Sequence, residues 1–178
     1  MRSRTHLDRD GQAYFMVSLR PDLDVKPARR PVDTVYVLDR SHGITPELWA
    51  TARGIVQASL AIHGPDDRVS LIACDTACDS WKPGLTGVRD GISEQAAAFM
   101  DHQPLAGASD VGEMMRAAAA SLEEHGSERE RVVVYLGDGT PTSGEMSVDG
   151  LLREVRDTLS GLRLQAVALG APSDLLVL

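Results

Sequence analysis

Near-continuous apolar and β-branched runs at Thr34–Leu38, Arg68–Cys74 and Arg131–Leu136, with another at Leu164–Leu169, are separated by stretches of helical spacing. A strand that is apolar at successive positions is buried on both faces. Its alternation with helices is the pattern of parallel βαβ units with right-handed crossovers. The expected fold is α/β: a doubly wound, mostly parallel sheet with helices on both faces. Such sheets bind ligands beyond the carboxyl ends of their strands. The first central strand lies within Val32–Gly43, and it delivers Asp39 and then Ser41 to that rim.

The helices announce themselves by caps. Thr45-Pro46-Glu47 supplies an N-cap, a proline at N1 and a first-turn acid. The apolar stripe Leu48, Ala52, Ile55, Val56, Leu60 follows, and Gly64-Pro65 is expected to end the helix. Further helices are expected over Ile92–His102, from a Ser109 cap through Leu122, and from a Ser147 cap to about Leu159. Pro172-Ser173 begins another helical stretch. Trp81–Val88 reads as a short edge strand, interrupted by Pro83 and Gly84.

Residues 1–31 differ from the rest. After a polar start and the turn signal Asp10-Gly11, Ala13–Leu19 alternates with period two, as a strand does. Arg20–Pro31 carries three prolines among charges and reads as an extended linker. The expected division is therefore an N-terminal extension over 1–31 and the α/β domain over 32–178.

Net charge is −8, and no clustered basic face is visible, which argues against nucleic acid as a partner. No apolar run approaches the roughly 18 residues needed to span a bilayer. Met1–Asp10 has no apolar core of a secretory leader, so a cytoplasmic location is expected if the chain is complete. Cys74 and Cys78 are too few for a disulfide scaffold and match no zinc pattern, so they are expected to be ordinary thiols.

Three element ends carry oxygen donors toward the rim: Asp39 and Ser41, Ser109 and Asp110, and Asp138 in Leu136-Gly137-Asp138-Gly139. Carboxylates and hydroxyls without Cys or His suit a hard cation that keeps several waters.

These residues resemble the von Willebrand factor type A family. Asp39-Arg40-Ser41-His42-Gly43 is similar to the Asp-x-Ser-x-Ser of its metal-ion-dependent adhesion site, with Gly43 where the second Ser is expected. Gly107-Ala108-Ser109-Asp110 resembles Gly-Gly-Thr-Asp, and Leu136-Gly137-Asp138-Gly139 resembles Leu-Thr-Asp-Gly. Gly64-Pro65-Asp66-Asp67-Arg68-Val69 resembles the family's Pro-Gly-Asp-Arg-Val. The N-terminal strand and linker look like the end of the β domain that precedes this module in inter-alpha-trypsin inhibitor heavy-chain-like proteins.

The resemblance implies a Rossmann-like domain that binds protein partners and is not an enzyme. A bound Mg²⁺ (or Mn²⁺ or Ca²⁺) would be held by Asp39, Ser41 and Ser109, with Asp138 orienting waters. Gly43 and Asp110 would be accessory, and an acidic side chain of the partner would complete the coordination. A metal-free scaffold for assembly is the alternative that Gly43 raises. A second is a Mg²⁺-dependent phosphohydrolase of the haloacid dehalogenase type, although Ser41 stands where its second Asp belongs and Lys82 is the sole candidate lysine.

Plainer roles stand beside these. Asp39 can be a turn residue, and Ser109 or Asp110 a helix cap. Asp75 and Asp79 read as a solvated loop, and Met114-Met115 as core. The five histidines are scattered, His42 in an exposed loop, and no nucleophile–base pair is evident.

Overall fold

The computed structural model describes residues 2–7, 11–18, 29–122 and 128–170. The strands β1 (Arg2–Leu7) and β2 (Ala13–Ser18) pair antiparallel in a sheet of their own, Leu7 opposite Ala13 and Arg2 opposite Ser18. The period-two pattern points to β2, whereas β1 carries no comparable signal in sequence. Phe15 on β2 is 79% exposed.

From Val32 the chain alternates. β3 (Val32–Asp39) leads to α1 (Pro46–Leu60), β4 (Arg68–Cys74), and the short strands β5 (Cys78–Ser80) and β6 (Thr86–Gly87). Then follow α2 (Ile92–Asp101), α3 (Val111–Ala120), β7 (Glu130–Gly137), α4 (Val148–Thr158) and β8 (Arg163–Ala168). The strand order is β5-β4-β3-β7-β8, with β6 also on β4. The β3–β4, β3–β7 and β7–β8 pairs are parallel, while β5 and β6 run antiparallel to β4. This is the expected α/β sheet with an antiparallel edge.

Both faces are covered, which is why β3 and β7 read as unbroken apolar runs. Tyr36, Leu38, Leu71 and Val134 face Trp49, Ala52, Val56 and Met100 of α1 and α2. Val35, Val37, Val133 and Tyr135 face Met114, Met115, Ala118 and Leu151 of α3 and α4. Met114 and Met115 are core, as their spacing indicates.

Several local expectations are corrected. Thr45 caps α1 as expected, accepting from the Leu48 N–H, but the helix stops at Leu60 with Ala61 as its cap, short of Gly64-Pro65. Asp110, not Ser109, caps α3, accepting the Glu113 N–H at 2.9 Å. The Trp81–Val88 edge strand is replaced by β5 and β6, because Pro83 and Gly84 break the ladder between them. Cys74 and Cys78 are joined in a disulfide rather than free: their Cα atoms stand opposite each other in the β4–β5 ladder, 4.2 Å apart. The expected helical stretch at Pro172-Ser173 lies outside the described residues.

Candidate functional site

Asp39 ends β3 at the carboxyl edge of the sheet and is fully buried. Its carboxylate is satisfied from three directions. Oδ1 accepts the Ser41 backbone N–H at 2.8 Å. Oδ2 accepts the Ser109 hydroxyl at 3.0 Å and the Tyr135 hydroxyl at 3.2 Å. Burial pushes the Asp39 carboxyl up. The Ser41 and Ser109 bonds oppose this and the nearby Asp138 charge adds to it, leaving it above its ordinary range. The Tyr135 phenol is driven well above its ordinary value, first by burial and then by the adjacent Asp39 charge.

Above this floor lies an open cleft of about 460 Å³, lined by Ser41, His42, Gly43, Gly107, Ala108, Asp138, Thr140 and Thr142. Three loops meet there. The Ala106 N–H donates to the Arg40 carbonyl, and the His42 N–H to the Gly107 carbonyl, both at 3.0 Å. The Ser109 N–H donates to Thr142 Oγ1 at 2.8 Å, and the Thr142 N–H returns to the Ser109 carbonyl at 2.9 Å. Asp138 Oδ1 accepts the Thr140 N–H at 2.9 Å.

All four residues expected to surround a cation, Asp39, Ser41, Ser109 and Asp138, thus lie in or directly beneath one cleft. Gly43 joins them: a Cβ at this position would stand 2.8 Å from Asp138 Oδ2, so the carboxylate leans into the room a larger residue would need. Asp110 serves as the α3 cap.

The donor set is two carboxylates and two hydroxyls, all oxygen, which fits a hard divalent ion. Among the described residues no group of three or more His, Cys, Asp or Glu is placed to hold a metal. Any cation here would therefore rely on the hydroxyls of Ser41 and Ser109.

Two contributors escape a motif reading. Tyr135 is concealed because it falls inside an apolar strand run. Arg40, at the variable position between Asp39 and Ser41, is 6% exposed. It reaches Asp75 at 3.3 Å, and also Asp79 and Gln103. Asp75 and Asp79 are therefore ion-paired supports of the rim, not only a solvated loop. Lys82 bonds Gln95 and lies over the Trp81 ring, and it takes no part in the cleft.

At the opposite end of the sheet His63 bridges Asp67 and Tyr36, each at 3.0 Å, and Tyr36 shares a 2.6 Å hydrogen bond with Ser59. This pairing was not visible in sequence. Tyr36 is fully buried, and the chain of polar groups fastens α1 to the sheet.

No family model matches the chain. It is 28% identical over 136 residues to inter-alpha-trypsin inhibitor heavy chain H1 of Bos taurus, a match covering 72% of this chain. The match spans about 15% of that heavy chain's length. Among solved structures, a von Willebrand factor type A protein from Catenulispora acidiphila superposes with a TM-score of 0.67 at 13% identity, over 77% of this chain and 33% of that one. The pilus adhesin SpaC from Lactobacillus rhamnosus GG superposes at 0.55 with 22% identity, over 65% and 15%. With the sheet order and the three rim loops already described, these likenesses show that the chain has the fold of a von Willebrand factor type A domain.

Proposed function

We propose that this domain is a protein-interaction module that binds a divalent cation, Mg²⁺ or a similar hard ion, at a variant metal-ion-dependent adhesion site. An acidic side chain of the partner completes the coordination. The observation that carries this reading is that Ser41 and Asp138 line one open cleft while Asp39 and Ser109, hydrogen-bonded to each other, lie buried behind Ser41. Ser41 and Ser109 supply hydroxyl ligands, and Asp39 ligates directly or through water. Asp138 orients water, and a water takes the place of the serine hydroxyl that Gly43 lacks. The bound cation supplies the positive charge that draws a carboxylate to a chain whose own net charge is −8. Likeness to an adhesin supports the same class of function.

The test is calorimetric titration of metal-free protein with Mg²⁺ and Mn²⁺, with Asp39→Asn as control. Saturable binding that the variant loses supports the reading. An absence of binding at millimolar metal defeats it and leaves a metal-free assembly scaffold. One observation favours that second reading: both Asp39 oxygens already have protein donors.

A further inference from the structure

The register of β3 on β7 sets Leu38 beside Leu136, so Asp39 and Gly137 follow as neighbours at the ends of adjacent strands. Gly137 occupies the position where the family pattern has Thr. A Cβ on it would lie 2.8 Å from the Asp39 Cβ and would overlap the Tyr135 phenol outright. The phenol therefore occupies the space that a side chain at 137 would take. Tyr135 comes from the same face of β7, two residues earlier, and is 2% exposed.

The direction of its proton is fixed by its second bond. The Gly139 N–H donates to the Tyr135 oxygen at 3.3 Å, so the phenol O–H is left to point at Asp39 Oδ2. The Ser109 hydroxyl shares that oxygen. A carboxylate oxygen offers about two lone-pair sites, and both on Oδ2 are thereby taken. The Ser109 hydroxyl can turn a lone pair outward by rotating about one bond. The phenol, held by Gly139 and by burial, has no such freedom.

The geometry points to Tyr135 as a built-in competitor of the cation: its phenol stands in for positive charge at Asp39 Oδ2, and a cation or its water must displace that hydrogen bond to engage this oxygen. This rests on the cation reading above and adds a residue that sets its affinity. Gly137 is the enabling position, since any side chain there excludes the phenol.

Tyr135→Phe is the test, because it removes the proton and keeps the ring. Calorimetry with Mg²⁺ and Mn²⁺ should show affinity raised about tenfold over the unsubstituted protein, the scale set by one hydrogen bond to a charged acceptor. In EDTA the variant should melt several degrees lower, and saturating Mg²⁺ should restore much of the difference. The unsubstituted protein should show a tyrosine ultraviolet difference spectrum on Mg²⁺ addition that Tyr135→Phe lacks. The spectrum of the unsubstituted protein needs no variant to fold, and its absence at saturating metal overturns the proposal.

Equal or weaker binding in Tyr135→Phe, with binding still lost in Asp39→Asn, overturns the role of Tyr135 and leaves the cation site standing. Failure of both proteins to bind overturns both. Binding by Tyr135→Phe alone supports the competitor outright.

Discussion

Ser109 and Thr142 are joined by two hydrogen bonds, Ser109 N–H to the Thr142 side-chain Oγ1 at 2.8 Å and Thr142 N–H to the Ser109 carbonyl at 2.9 Å. The loop after β7 therefore holds the residue whose hydroxyl reaches Asp39. Thr142→Val keeps the shape and leaves the Ser109 N–H without its acceptor. The expected cost is about 1 kcal/mol, read by denaturant unfolding. Weaker Mg²⁺ binding should accompany it, since Ser109 loses its anchor.

Gly43→Ser restores the hydroxyl that the family pattern has. Its Cβ would meet Asp138 Oδ2 at 2.8 Å, so the carboxylate must move aside. The expected result is a small loss of stability in EDTA, roughly 0.5–1 kcal/mol, together with tighter Mg²⁺ binding. If calorimetry instead gives an unchanged affinity, water already serves that position as well as a serine would.

Arg40 is almost wholly buried and holds Asp75 and Asp79 from its place between Asp39 and Ser41. Arg40→Met retains most of the side-chain volume and strands Asp75, whose side chain is 19% exposed. We expect a loss of about 2–3 kcal/mol by thermal or denaturant unfolding. Hydrogen exchange should rise first in residues 75–80 and 103–109, which the guanidinium holds together.

Asp67 gives the fold a defined acid sensitivity. Burial pushes its carboxyl up, but bonds from the Gly64 and Val32 N–H groups and from His63, with the Arg29 charge, bring it down to about 2 from 3.8. A carboxyl depressed on folding stabilises above its unfolded value, and that contribution fades as pH falls from about 4 towards 2. The expected loss is about 1–2 kcal/mol over that window. Asp67→Asn should be less stable at neutral pH and should show a flatter stability profile between pH 4 and 2.

The disulfide Cys74–Cys78 closes a very short loop at the end of β4. Loop-closure entropy for so few residues gives a contribution of about 2 kcal/mol. Unfolding with and without dithiothreitol should differ by this amount. The difference should vanish when both cysteines are replaced by alanine.

The architecture was legible in the sequence because its signals are local and redundant. Tyr36, Val37 and Leu38 announce a strand buried on both sides, and Thr45 and Ser147 cap the helices assigned to them. The residues that meet at the cleft were legible only through the resemblance, which set Asp39, Ser41, Ser109 and Asp138 in order along the chain. What stayed hidden depends on contacts between distant segments. Tyr135 looks like one more apolar strand residue until the missing side chain at Gly137 lets its phenol cross to β3. Arg40 looks like a surface cation until the β4–β5 loop closes over it. The disulfide was missed because four-residue spacing suggests a pairing only once the antiparallel turn of β5 brings the cysteines face to face.

Asp39 is fully buried, while the cleft above it is lined mainly by neutral groups. The charge at the mouth thus comes from Asp39 below and Asp138 on the wall, and the contour is set mainly by the neutral residues between them. A change at Thr140 or His42 remodels the contour without altering the charge beneath it. A change at Asp39 does the reverse. Such a separation lets the contour of the cleft change by substitution while the buried carboxylate stays as it is.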